Sequence, residues 1–205
     1  FFTFVILIFS NFKNDYKLTY LIYNPDKATN LFKDTKKIII KVFFMYSFLT
    51  GIIFILFNFS GIRLFNSLNL AMTVSSAGAF LPTNSLSDII KITSQEIILS
   101  CGLIFSTLSI YFFYNISSNL KNFKKHYEDI IILGGIFLFS LIIFFSVGQK
   151  SFLNIFLNVI SSVSNSGISS YQPPENFYLL FVFLTIIGGS IISNSNGIKF
   201  IRIYI

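Results

Sequence analysis

The 205 residues predict an all-α integral membrane protein made of repeated units, each a span, a re-entrant segment and a second span. Three observations carry this. Hydrophobic residues make up 54% of the chain and charged residues 11%, with 28 Phe and a mean hydropathy of +0.75. A soluble domain carries about a quarter charged residues, and so few polar groups cannot cover a water-facing surface of this size. The same composition excludes disorder. The apolar runs are long and do not alternate, which suits helices that cross the hydrocarbon and not barrel strands. Finally, the basic residues are confined to the stretches between alternate runs.

The elements follow in order. Residues 1–10 are apolar, too short to span and without a basic flank, so they read as the end of a preceding transmembrane helix and not as a signal peptide. The last residues, Ile201 to Ile205, also stop abruptly, and the chain reads as an internal piece of a longer one. Residues 11–37 form a basic loop with Lys13, Lys17, Lys27, Lys33, Lys36 and Lys37. A first span is expected at Ile38–Phe59, with Lys41 near its start, and a second at Ile89–Ile116, so that 38–116 is one unit. A loop at 117–129 holds Lys121, Lys124 and Lys125. Residues 130–205 are the next unit, with a span at Ile130–Val147 and another from Phe177, interrupted at Gly188-Gly189.

Of the 15 basic residues, all but Arg63, Lys91 and Lys150 fall in the first loop and its border, in the second loop, or at the C-terminal end with Lys199 and Arg202. The positive-inside rule makes these stretches cytoplasmic and the protein multi-pass in the cell's inner (plasma) membrane. The net charge of +7 then reports topology, with lipid as the partner and no nucleic acid. Cys101 and His126 are each unique, which precludes an intrachain disulfide and a Cys/His metal cluster. Cys101 is expected as a small buried hydrophobe, and His126, among Lys124-Lys125-His126-Tyr127-Glu128-Asp129, as a solvated loop residue. No nucleophile–base pair is visible, so neither an enzyme nor a cofactor is expected.

Two semi-apolar stretches, 61–85 and 148–173, are left on the non-cytoplasmic side. Leu68-Asn69-Leu70-Ala71-Met72-Thr73-Val74-Ser75-Ser76-Ala77-Gly78 aligns without a gap on Leu157-Asn158-Val159-Ile160-Ser161-Ser162-Val163-Ser164-Asn165-Ser166-Gly167, a period of 89 residues. Either stretch alone fits an ordinary polar loop. Two copies between equivalent spans fit a re-entrant helix followed by an extended segment, near 74–79 and 163–168. Non-helical backbone at membrane depth persists only where protein buries it or it lines water. Small side chains let such segments approach an axis, and Gly reaches backbone angles that other residues avoid. Rings of carbonyls replace the hydration shell of a cation, and the C-terminal end of a short helix favours positive charge. No Arg or Lys lies within either segment to suit an anion.

A third irregularity is Gly188-Gly189-Ser190-Ile191-Ile192-Ser193-Asn194-Ser195-Asn196-Gly197 inside the last apolar stretch. It fits a broken transmembrane helix of the kind that marks ion pathways. It also fits a close-packing Gly pair followed by a helix end at the cytoplasm. Glu96 is the one acid well inside a span, either at the outer interface or in an ion vestibule.

These residues resemble the TrkH/KtrB potassium-transporter subunits of the Trk/Ktr/HKT superfamily. Val74-Ser75-Ser76-Ala77-Gly78-Ala79-Phe80 is similar to the family's second filter, which usually ends Gly-Gly-Phe, and Ser164-Asn165-Ser166-Gly167 is similar to the Ser/Thr-rich third. Ile187-Gly188-Gly189 through Lys199 and Arg202 resembles the family's Ile-Gly-Gly, small-residue loop, Lys and Arg. The resemblance implies four repeats around a pseudo-fourfold cation pore, of which this chain holds the end of the first, all of the second and most of the third. It implies a K⁺ filter at Ser75, Ser76, Ala77, Gly78, Ser164, Asn165, Ser166 and Gly167. It implies a gate at Gly188, Gly189, Ser193, Asn194, Ser195, Asn196 and Gly197. It also implies a homodimer with a cytosolic nucleotide-binding regulatory subunit. The departures are Ala79, Asn165, Ile191, Ile192 and the Asn194-Ser195-Asn196 run.

Two other functions fit parts of this pattern. A secondary transporter of organic solutes predicts inverted repeats, whereas these two share one orientation. A membrane scaffold or non-functional fragment fits the abrupt ends and the filter departures.

Overall fold

The structure, a computed structural model, describes residues 31–83, 85–109, 112–113, 126–147, 151–169, 175–190 and 193–199. The expected helix end at 1–10, most of the loops at 11–37 and 117–129, and Arg202 lie outside these. The chain divides into a unit of residues 1–47 and one of 48–205. The described part of the first unit is the opening stretch of helix α1; the site described below lies wholly within the second.

The described residues form six α-helices: α1 Leu31–Phe59, α2 Leu64–Ser75, α3 Thr93–Thr107, α4 Tyr127–Val147, α5 Phe152–Ser164 and α6 Tyr178–Ile186. Helix α1 begins before the expected Ile38, because Leu31 to Lys37 contains no Gly or Pro and Lys propagates a helix well. It ends at a left-handed Gly61 (φ 87). There Gly61 N donates to Asn58 O and Ile62 N to Phe57 O, which satisfies the last carbonyls and seats Ile62 against buried Phe57. The chain thus turns at once into α2, whose buried Leu70, Ala71 and Val74 pack on α3.

Among the described residues, two helical segments are long and apolar enough to cross a membrane, Val42–Phe59 within α1 and Tyr127–Val147. Helices α3 and α6 have 15 and 9 residues, short of the ~20 a continuous span needs. The expected unbroken span to Ile116 is therefore corrected: α3 stops at Thr107, and Leu108 is extended. The Ser106-Thr107-Leu108-Ser109 run explains the stop, since Ser and Thr hold helix weakly and Ser106 O, Thr107 O and Ser109 N have partners elsewhere. Ser109 N donates to Asp129 Oδ1 at 2.9 Å.

That contact corrects the expectation for His126. It is buried at 2% exposure beside fully buried Asp129. Its Nδ1 lies 3.3 Å from Asp129 Oδ2, and its ring meets Phe112 edge to face. The break after α3 exposes a main-chain N–H within the protein. Asp129 supplies the acceptor and His126 closes off the carboxylate. Cys101 is likewise corrected: it is exposed, one turn from exposed Ile97 on the outward face of α3.

Helix α5 lies at the centre, against α3, α4 and α6, and buries Ile155, Leu157, Val159, Ile160 and Val163. Phe152 at its start stacks on Phe156 and meets Phe137 and Phe144 of α4 edge to face. The outward faces carry Phe65, Phe145, Leu179 and Phe183. Large apolar residues outside, over an interior that mixes aliphatic side chains with Ser and Asn, suit lipid.

Gln95 ties the α1 end to the α3 start. Its Oε1 accepts from Lys91 N at 2.8 Å and Ile92 N at 3.3 Å, and its Nε2 donates to Ser60 O at 3.0 Å. The side chain is buried, so Gln95→Ala leaves three main-chain groups without this partner. We predict a loss of about 1–3 kcal/mol, read as a lower melting temperature in detergent; an unchanged melting temperature contradicts the tie.

Candidate functional site

The site is built from two helix ends and one loop. Helices α2 and α5 fall in the two stretches expected to be re-entrant, and their last residues, Ser75 and Ser164, are equivalent in the sequence repeat. Each helix closes with the same pair of main-chain bonds. After α2, Ala77 N donates to Val74 O at 3.2 Å and Gly78 N to Thr73 O at 2.8 Å. After α5, Asn165 N donates to Ser162 O and Ser166 N to Ser161 O, both at 3.1 Å. This arrangement requires a left-handed residue just past the helix. It is Ala77 (φ 52) in the first copy and Asn165 (φ 57) in the second.

The turns therefore run one residue out of step with the alignment that placed Gly78 on Gly167. Ala77 matches Asn165, and Gly78 matches Ser166. Gly78 is not the left-handed position, so the backbone-freedom argument applies to Gly167 (φ 64). Gly78 is small for another reason: a Cβ there would meet Ser76 Oγ at 3.2 Å. A Cβ at Gly167 would sit 4.0 Å from that of Ala79, so the two segments face each other just beyond their turns.

Buried hydroxyls hold each segment down. Thr73 Oγ1 donates to Phe80 O at 2.7 Å, which folds 76–80 back over the helix end. In the second copy Ser164 Oγ donates to Ser166 Oγ at 3.0 Å, and Ser161 Oγ lies 3.2 Å from the same atom. Thr73 and Ser161 occupy the same place in the two turns, and sequence reasoning missed both. The signal was present as a hydroxyl five residues before each turn closes. We predict that Thr73→Val, which keeps the shape and removes the donor, costs about 1 kcal/mol, the worth of one hydrogen bond. A lower melting temperature in detergent measures it, and an unchanged one contradicts the role.

Beneath the helix ends lies the loop that interrupts the last span. Ile187 and Ile198 pair as an isolated parallel bridge. Gly188 N donates to Ile198 O and Ile198 N to Ile186 O, both at 2.9 Å, so 188–197 is a closed loop. Inside it Gly189 N donates to Ser195 Oγ at 2.7 Å, and Ser193 Oγ lies 2.8 Å from Ser195 Oγ. Lys199 folds back: its ammonium donates to Ser193 O at 3.2 Å and to Ser195 O. Sequence reasoning assigned Lys199 to the cytoplasmic end and to the motif that closes the loop, without foreseeing these contacts. Its position after the Asn/Ser run was the available clue, since a loop rich in carbonyls and hydroxyls attracts a cation.

Three contacts seat the loop. Ser190 N donates to Thr107 O and Asn194 N to Ser106 O, each at 3.1 Å; these are the carbonyls that the α3 break liberates. Asn194 Nδ2 donates to Ser75 O. On the other side, Asn165 Nδ2 donates to Thr185 O in α6 at 2.8 Å. Gly188 and Gly189 are buried where no Cβ fits: it would overlap Asn196 O at Gly188 and Thr107 O at Gly189. So Asn194 touches the first turn, Gly197 lies against Asn165 of the second, and Gly188, Gly189, Ser193 and Ser195 pack within the same loop and against Thr107. Asn196 is exposed and lends its carbonyl to the Gly188 packing. Glu96 stands apart in the first turn of α3, at the end remote from Thr107. The arrangement places main-chain oxygens and hydroxyls at two helix C-termini, ends that favour positive charge.

No protein-family model matches the chain, and no curated protein matches it in sequence. Among solved structures, its fold matches the potassium transporter TrkH from Vibrio parahaemolyticus with a TM-score of 0.76 at 18% identity. The match covers 83% of this chain and 40% of that one, so this chain spans well under half of that protein. The fold is therefore TrkH-like, an all-α membrane-transporter architecture.

Proposed function

We propose that this chain forms part of a potassium-conducting pore. Residues 75–78 and 164–167 contribute to the filter, and the 188–197 loop gates the path on its cytoplasmic side. One observation carries the reading. Two short helices end in the same left-handed turn, the segments that follow them approach each other, and a half-buried non-helical loop is hydrogen-bonded to one of them. Backbone of this kind is retained at membrane depth where protein buries it or it lines a pathway, and the TrkH-like fold supplies the setting. A potassium ion is the cargo in this reading, and no resident cofactor is needed. Insertion in the inner membrane, cytoplasmic basic loops, a homodimer and a nucleotide-binding regulatory partner belong to the same proposal.

The test is flux. The complete pore that contains this chain, reconstituted in liposomes, is expected to take up rubidium above empty vesicles, with K⁺ competing much more strongly than Na⁺. Uptake equal to that of empty vesicles, or equal competition by Na⁺, overturns the reading.

A further inference from the structure

Asn194 is the loop residue whose side chain reaches a filter helix. Its Nδ2 donates to the carbonyl of Ser75, the last residue of α2, while its main-chain N donates to Ser106 O at the end of α3 at 3.1 Å. One residue thus ties the loop to two helix C-termini. Ser190 N adds a bond to Thr107 O, but that contact runs to α3 alone. The second turn has a matching link of opposite sense, in which Asn165 donates to Thr185 O near the end of α6, just before the loop begins. Each turn is therefore joined by one primary amide to the segment that carries the loop.

We propose that Asn194 is a latch that couples loop position to ion occupancy at the first filter turn. An amide fits the task because it is an uncharged donor with the reach that Ser or Ala lacks. A carbonyl engaged by an N–H donor is a poorer cation ligand, because the donor claims part of the oxygen's negative potential. With the latch closed, Ser75 O is engaged and the loop stays seated. With it open, the carbonyl turns to the ion and the loop leaves the path. Linkage makes this reciprocal: a cation that draws on Ser75 O weakens the latch by the factor by which the latch weakens the cation. The inference rests on the pore reading above for the identity of the ion, and on geometry alone for the latch.

The test uses the full chain with Cys101→Ser and a reporter Ser76→Cys, since Ser76 is exposed in the turn. A membrane-impermeant thiol reagent is applied from the cytoplasmic side in choline. Asn194→Ala is expected to raise the modification rate about fivefold by removing one hydrogen bond. Asn194→Asp keeps the shape without the N–H donor and is expected to do the same, which covers a failure of the Ala variant to fold. Rates equal to the Asn194 protein in both variants overturn the latch. Replacing choline by potassium is expected to raise the rate in the Asn194 protein and leave the variants unchanged. A mutational effect without a potassium effect supports the mechanical tie and removes its coupling to potassium, which strikes the pore reading separately.

Discussion

Gly189→Ala is expected to leave the pathway open at rest. The added methyl would lie against Thr107 O, a main-chain atom at the end of α3, and within 2.6 Å of Ser195 Oγ and 2.9 Å of Ser193 Oγ. The hydroxyls can rotate away, but the carbonyl cannot without moving α3. The loop must therefore shift, and it loses the Ser190 N–Thr107 O bond that seats it. Overpacking of this kind costs about 1–3 kcal/mol against the seated state, which corresponds to a basal flux about fivefold higher or more. The Lys199 contacts and the Ile187–Ile198 pairing lie within the loop and survive its displacement as a unit. Helical content by circular dichroism should then stay constant while rubidium leak rises. A normal resting flux in a folded Gly189→Ala protein contradicts the gating role.

Gly167→Ser is expected to destroy discrimination rather than resting closure. Gly167 has φ 64, where a side chain costs about 1–2 kcal/mol, and it follows directly on Asn165, already left-handed, and buried Ser166. The strain is relieved by turning the 166–168 segment, which breaks the Ser161–Ser164–Ser166 hydroxyl cluster and moves the carbonyls it holds. K⁺/Na⁺ discrimination should fall about tenfold. Gly78→Ser acts differently. Gly78 is not left-handed, so its cost is crowding against Ser76 Oγ, and a smaller loss of discrimination is expected. If the two variants are equal in competition flux, backbone conformation is not what makes Gly167 necessary.

Composition and periodicity made the helices legible, including the short ones in the stretches 61–85 and 148–173, because apolar runs and clusters of small polar residues are local signals. The break at Gly188-Gly189 was legible for the same reason. The break after Thr107 was not. Residues 89–116 look continuous, and α3 stops there because groups distant in sequence, Asp129 and the 190–194 loop, offer partners for its backbone. His126 was misread as solvated because its neighbours in sequence are charged, while its neighbours in space are Phe112 and Asp129. The repeat was found, but its register at the turns was set wrongly. Matching Gly to Gly follows residue identity, whereas the turn follows which residue can go left-handed over which hydroxyl. Lys199 looked like a topology marker until the chain was seen to fold it back onto Ser193 and Ser195.

The central claim is that the turns after α2 and α5 are cation ligands. Anomalous diffraction from crystals of the full chain grown with thallium tests this most directly, because thallium substitutes for potassium and marks its own position. A peak is expected between the two turns, coordinated by main-chain oxygens of 75–78 and 164–167, that diminishes when potassium competes. Ordered thallium elsewhere with none at the turns, or a peak at the turns that potassium does not displace, contradicts it.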